Sequence, residues 1–369
     1  MRRFKLLQMD FGARLRSVIA SVMERNRAMR SQQMSTMQQI VSQAMERKRE
    51  QELLNKSLVW QEFADVRAAI DSMILLGAIG KGAFGEVQLA VHRPTRKGYA
   101  LKTVEPPDEK HRALVEREIA CMREAASPFL MRFFGASNYP NGLNRMIVEH
   151  LGGGSLEEVM GGRGMGKGMD AAKTRFYFAC MVAAFDALHA SGWMHRDLSA
   201  KNVMVDNHGY AKLIDCGLAK RVGENEHTYT TCGTPVYLAP EVIKATGYGH
   251  KAEVWGLGVL LYELYSGCLP FLPPANSKAI GAARRMELYK TIQEAEPDLS
   301  MPCFRQDAQS DAVKDLLMLL LRKKASERIG IPKVRLSVFF EGFDWRAFHA
   351  RRVPAPFVPP RDKRLPEPK

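Results

Sequence analysis

Apolar positions divide the chain into three stretches. From Ala13 to Leu76 there is no glycine or proline, and most residues are good helix formers. Leu15, Val18, Val22 and Met29 keep a heptad spacing, Arg25 breaks it, and Met37, Ile40, Val41 and Ala44 resume the stripe in a shifted frame. The pattern predicts a long, weakly amphipathic helix or helix pair. Two interpretations stand together: a coiled coil that forms a homodimer or holds a partner, and a solvated extension. From Met73 the period changes. "MILLGAIGKGAFGEVQLAV" is apolar, then glycine-rich, then alternating, which predicts strand, turn and strand. "KGYALKTV" and "NRMIVEHL" predict further strands, with the helical spacing of "EREIACMREA" between them. Beyond "GGGSLEEVM" the patterns lengthen and become helical, as in "TRFYFACMVAAFDALHASG" and "EVWGLGVLLYELYSG". "GGRGMGKGM" at 161–169 reads as a surface loop, and the Pro-rich "RRVPAPFVPPRDKRLPEPK" as an extended tail.

The organisation expected is therefore a basic helical extension over 1–72, a domain over 73–345 and a basic tail over 346–369. Its α+β domain has a small strand-rich lobe before a larger helical one.

The 369 residues suffice for a full core. No apolar run approaches the roughly 18 residues needed to span a bilayer, which argues against a transmembrane segment. The net charge of +14 belongs to the ends. Residues 1–60 hold twelve Lys and Arg against five Asp and Glu, and residues 346–369 hold seven against two. Nothing resembles a nucleic-acid module. An Arg-rich start allows an organelle transit peptide, but Asp10 and Glu24 interrupt it. The six cysteines are scattered without metal-ligand spacing, which predicts free thiols in a reducing compartment, the cytoplasm or nucleus.

Gly80, Gly82, Gly85 and Val87 form G-x-G-x-x-G-x-V between two strands, a context that disfavours a dinucleotide fold. Glycines there let backbone amides close over phosphates. Lys102 in "YALK" offers a cation for those phosphates, and Glu118 is the acid spaced to position it. In "HRDLSAKN", Asp197 is placed to take the proton of a hydroxyl nucleophile, and Asn202 and Asp215 of "DCG" are oxygen donors suited to magnesium. Each residue alone reads as a surface charge. The ordered set points to phosphoryl transfer, which needs positioning and charge neutralisation above all.

In that order the motifs resemble the protein kinase family over about residues 73–345. "CGTPVYLAPEVI" and "ARRVPAPFVPP" are similar to the AGC group of Ser/Thr kinases, most of all to its cyclic-nucleotide-dependent branch. The resemblance implies a bilobal fold with a helix C in the small lobe, ATP and Mg2+ as cofactors, and protein Ser/Thr hydroxyls as substrates. It places Gly80, Lys81, Gly82, Gly85 and Val87 over the nucleotide. Ala100, Val148 and Met204 line its base, with a hinge at Glu149–Leu151 and Val148 guarding the back pocket. Asp197, Lys201, Lys102 and Glu118 take catalytic roles, with Asn202 and Asp215 on the metal. Thr230 matches an activating phosphothreonine, with Arg196 and Lys220 as cationic partners, and Arg328 matches the ion-pair partner of Glu241.

Several positions depart from the family. Ser199 stands where most Ser/Thr kinases carry lysine, and the cation is displaced to Lys201. Cys216 replaces a phenylalanine, which removes packing expected against Met122, Phe133 and His195. Glu253 replaces an aspartate that hydrogen-bonds the catalytic loop and must bend to do so. Ser155 and Lys201 stand where acids would select substrate arginines, with only Glu263 matching, so a weaker demand for basic residues is expected. Residues 1–72 are too short for a cyclic-nucleotide-binding barrel, so such control would need a separate regulatory subunit. The tail lacks the aromatic motif that docks on the small lobe in this group, which makes the N-terminal helix a candidate support for helix C. The competing interpretations are a nucleotide-binding pseudokinase scaffold on a coiled-coil tether and a basic membrane- or polymer-binding adaptor.

Overall fold

A computed structural model describes residues 63–360, except 83–84, 140–141, 166, 224–225 and 306–307. The helix expected over residues 1–62 lies outside the described residues, as does the end of the tail, 361–369. Five alternating segments make one antiparallel sheet: β1 (Met73–Gly82), β2 (Gly85–His92), β3 (Gly98–Val104), β4 (Phe133–Asn138) and β5 (Asn144–Glu149), in the order β1-β2-β3-β5-β4. Strand alternation sends Tyr99, Leu101 and Ile147 to one face and Ala100, Val104, Met146 and Val148 to the other.

Each face needs a cover. The second receives α2 (Glu109–Glu124), through Val115, Ile119 and Met122. The first receives Phe63 with Ala69 and Ile70 of α1 (Val66–Asp71), a helix capped by the Asp65 carboxylate on the amides of Arg67 and Ala68. The Phe63 ring lies 5.0 Å from His92, 5.5 Å from Tyr99 and 6.5 Å from Phe134, centroid to centroid. The last residues of the N-terminal extension are thus part of the small lobe's core. They sit on the sheet face opposite α2, the position of helix C, rather than against that helix. Phe63→Ala is expected to cost about 3 kcal/mol of stability, the low end of such core truncations, read from urea unfolding. A loss near zero would mean that Phe63 is not a core residue.

The large lobe is built on α3 (Ala171–Ala190) and α4 (Lys251–Ser266), both apolar nearly all round and therefore buried nearly all round. The hairpin β7 (Val203–Val205) and β8 (Ala211–Leu213) and the short pair β6 (Trp193–Met194) and β9 (Lys220–Arg221) frame the loop that carries Asp197. The tail returns over this lobe. Tyr210 donates its hydroxyl proton to the Val353 carbonyl, Arg351 pairs with Asp206, and Pro359 reaches Gly153 beside the hinge. No helix among the described residues is long and apolar enough to cross a membrane, and all six cysteines are free.

Candidate active site

The motif glycines lie where β1 and β2 pair. Gly80 pairs with Val87, Lys81 with Glu86 and Gly82 with Gly85, as β1 turns into β2. Gly85 is required by a close approach: a Cβ there would stand 1.9 Å from the Thr103 carbonyl oxygen of β3. Val87, Ala100 and Val148 contribute to one apolar cluster under the sheet, with Val148 and Ala100 paired across β3 and β5. Leu151 is buried, and Met204 is brought in by β7, where it bridges to Ser155. Glu149 at the hinge is held by Lys212 Nζ, 2.6 Å from Oε2, and accepts the Arg132 amide.

Lys102 on β3 and Glu118 on α2 meet at 2.6 Å, and Lys102 Nζ lies 3.8 Å from Asp215 Oδ1. Burial acts to lower the Lys102 pKa, but the carboxylates of Glu118 and Asp215 outweigh it and hold the ammonium above its usual value. Asp215 has a left-handed backbone, φ 62°, which a non-glycine residue adopts only under restraint, and its side chain accepts the Gly217 amide. That conformation points a half-exposed carboxylate at Lys102.

The loop below is over-determined. Asp197 Oδ1 accepts the Thr234 amide at 2.8 Å and the Thr234 hydroxyl at 2.7 Å, while Oδ2 accepts Asn202 Nδ2 at 2.9 Å. Asn202 Nδ2 also donates to the Asp197 carbonyl, which fixes the amide group. The Ile214 amide bonds the Asn202 carbonyl, so Asn202 is tied to the segment carrying Asp215. Ser199 caps the short turn Ala200–Asn202 by accepting the Asn202 amide. Lys201 Nζ stands 3.7 Å from Glu157 on an exposed side chain. Thr234, within the "CGTP" stretch, is what aims Asp197. Their separation of 37 positions leaves no local spacing that reveals the contact.

Glu253 does the work expected of a shorter aspartate and more. Its Oε1 accepts the His195 and Arg196 amides, both at 2.7 Å, and its Oε2 lies 2.6 Å from His189 Nε2. Burial alone would raise its pKa, but His189 and the loop amides outweigh burial and keep the carboxyl below its usual value. The extra methylene lets one carboxylate serve both the loop and a histidine of α3. Cys216 packs beside Cys121 and Met122, next to a small cavity lined also by Ala125, Leu130, Met131 and Leu213. A hydrogen bond with the Cys121 thiol, together with burial, pushes the Cys216 thiol well up.

Thr230 is exposed, and its carbonyl accepts the Tyr248 hydroxyl at 2.6 Å. Lys220 Nζ donates to the Thr228 hydroxyl, not to Thr230. Arg196 Nε donates to the Leu218 carbonyl, whereas its buried Nη1 has no hydrogen-bond partner among the described residues.

The family model described as "Protein kinase domain" matches residues 74–340. The chain belongs to the protein kinase family. It is 31% identical over 290 residues to the human cGMP-dependent protein kinase 2, a match covering 76% of this chain and 36% of that protein. It is 32% identical over 288 residues to the human cAMP-dependent protein kinase catalytic subunit PRKX, covering 77% of this chain and 76% of that one. It is 32% identical over 297 residues to the serine/threonine-protein kinase gad8 of Schizosaccharomyces pombe, covering 79% of this chain and 49% of that one. The chain thus spans about a third of the length of the cGMP-dependent relative. The similarity falls in the AGC group, as the motifs implied. The antiparallel small lobe and helical large lobe are those of the family.

Proposed function

We propose that this kinase-family chain transfers the γ-phosphoryl group of ATP to serine and threonine hydroxyls of proteins. The observation that carries this reading is the Lys102–Glu118 pair with Asp215 beside it, tied through Asn202 to a restrained Asp197. ATP would lie with its base among Val87, Ala100, Val148, Leu151 and Met204 and its phosphates under Gly80, Lys81, Gly82 and Gly85. Lys102 holds those phosphates. Asp197 Oδ1 is saturated by Thr234, which leaves Oδ2 to accept the hydroxyl proton. As that proton leaves, the hydroxyl oxygen bonds to the γ-phosphorus and the bond to the β–γ bridging oxygen breaks, so ADP departs with the electron pair. Bound magnesium supplies charge neutralisation at the triphosphate, and Asn202 Oδ1 and the Asp215 carboxylate are the hard oxygen donors that fit it. Lys201 would have to leave Glu157 to steady the phosphoryl group.

The similarity of "CGTPVYLAPEVI" to AGC Ser/Thr kinases and the name of the gad8 relative support serine and threonine as targets. Incubation with labelled ATP, magnesium and a protein mixture, followed by phosphoamino-acid analysis, is expected to give phosphoserine and phosphothreonine. Phosphotyrosine alone would overturn the assignment of target.

Thr230 is proposed as the activating phosphorylation site, supported by its exposure and by the unpartnered Arg196 Nη1. A phosphate there would gather Arg196 and draw Lys220 off Thr228. Thr230→Ala is expected to lower turnover about tenfold or more, the effect of losing one or two charge-assisted hydrogen bonds. Unchanged turnover with unphosphorylated Thr230 in the wild type would exclude this switch.

A further inference from the structure

Helix α2 ends on a residue whose charge is in the wrong place. Glu124 is the last residue of α2, where the helix dipole opposes a carboxylate. Two donors offset that cost. The indole Nε1 of Trp193 donates to Glu124 Oε2 at 2.9 Å, and Arg221 Nη2 lies 3.0 Å from the same oxygen. Trp193 is buried, and an indole N–H can only donate, so Glu124 supplies the acceptor that burial of this ring requires. The Glu124 and Arg221 side chains are 41% and 67% exposed, so the ion pair by itself contributes little. The Arg221 guanidinium also lies 5.8 Å from the centroid of the Trp193 ring.

Both partners belong to strands that frame the site. Trp193 and Arg221 pair across β6 and β9, as do Met194 and Lys220. β6 leads into the loop carrying Asp197, and β9 follows the turn carrying Asp215. Glu124 therefore bonds helix C of the small lobe to the two strands that flank the large lobe's carboxylates. Along the rest of α2, Val115, Ile119 and Met122 press against the sheet. Apolar contact has no direction, so it does little to choose the rotation of the helix about its axis. A hydrogen bond does have a direction. Glu118 lies six residues before Glu124, about 9 Å along the axis and on a different face. Tied at Glu124, the helix is held at the rotation in which Glu118 meets Lys102 at 2.6 Å.

We propose that Glu124 is a positioning residue for phosphoryl transfer: its bond to the Trp193 indole holds α2 so that Glu118 stays paired with Lys102. The proposal rests on the phosphoryl-transfer reading above. The bond to the buried indole carries the effect, and the exposed pair with Arg221 adds little to it. With the bond in place, a movement of β6 or β9 reaches helix C directly. Without it, α2 keeps its apolar contacts, but Glu118 is no longer aimed at Lys102. The ammonium then holds the nucleotide phosphates less well.

The test measures kcat/KM for ATP in the wild type, Glu124→Ala, Glu124→Gln (which keeps an oxygen for the indole) and Arg221→Ala. Affinity for a fluorescent ATP analogue with magnesium is measured beside it. Glu124→Ala is expected to lose about tenfold in both, the effect of one hydrogen bond to a charged group. Glu124→Gln and Arg221→Ala are expected to stay within about threefold of wild type. In a Glu118→Gln background, Glu124→Ala is expected to change either quantity by less than about twofold, because the group it positions is already gone. An equal loss in both backgrounds would show a general packing role and overturn the proposal. So would a Glu124→Ala protein equal to wild type, or an Arg221→Ala protein as impaired as Glu124→Ala. If Glu124→Ala does not fold, Trp193→Phe, which removes the same bond without stranding a buried N–H, is compared in both backgrounds against the same outcomes. If none of the proteins transfers phosphate, the transfer reading fails, and the nucleotide affinities decide the Glu124 proposal by the same comparison.

Discussion

Asp197→Asn is expected to leave the fold intact and to lower kcat by about 10²- to 10⁴-fold, the range for removal of a positioned general base. The asparagine is isosteric, so an oxygen can still accept the Thr234 amide and hydroxyl. What is lost is the basic oxygen, Oδ2, that Asn202 holds in place. The new Nδ2 meets the Asn202 Nδ2 donor, so Asn202 must shift. The effect should still fall on kcat more than on KM for ATP, since Lys102 and Asp215 are untouched. Thr234→Ala is the informative companion. It keeps the carboxylate and removes one of the two bonds to Oδ1, so it should cost less than Asp197→Asn. A thermal melt unchanged for Asp197→Asn, with kcat reduced, separates chemistry from stability. Wild-type turnover in Asp197→Asn would remove Asp197 from the reaction.

Arg328→Ala is expected to destabilise the large lobe by about 3–5 kcal/mol, the cost of breaking a buried ion pair from one side. The Arg328 side chain has no exposed surface, and each of its five N–H groups has an acceptor. Two bonds go to the Glu241 carboxylate at 2.7 and 3.1 Å, one to the Lys251 carbonyl at 2.6 Å, and two to the Arg322 carbonyl. The guanidinium also lies 5.3 Å from the Trp255 ring centroid. Alanine would strand a carboxylate and two buried carbonyls at the end of the segment that begins at Asp215. Lysine keeps the charge but has three donors on one point, so it cannot satisfy three separate acceptors in this fork geometry. Arg328→Lys should therefore recover only part of the loss. Chemical denaturation of the three proteins checks the order wild type, lysine, alanine. Equal midpoints would show that the pair does not hold the segment.

How much of this was legible in the sequence depends on how far apart the interacting residues lie. The alternating strands were readable because burial on one face writes a period of two into the chain, and the helices α3 and α4 because they are apolar over many turns. The Lys102–Glu118 pair was readable from motif order. The bond from Thr234 to Asp197 was not, nor was that from Arg163 to Glu263 across 100 residues. Nothing local distinguishes Arg163 from a solvated loop arginine until α4 is packed against its loop. The short helix α1 was hidden within a longer helical composition. Phe63 acquires its role only when Tyr99 and Phe134 are brought beneath it. Glu253 was expected to strain toward the catalytic loop. Only the position of His189 shows why the longer side chain is useful there.

The central claim is that Lys102, Asp197, Asn202 and Asp215 form one working cleft. The most direct test is transfer of labelled phosphate from ATP, with magnesium, to protein serine and threonine by the wild type beside Lys102→Met and Asp215→Ala. Label from the wild type, with at least about a hundredfold loss in each variant, is the result expected for removal of a positioned electrostatic group. Equal label from all three, or none from a folded wild type phosphorylated on Thr230, would contradict it.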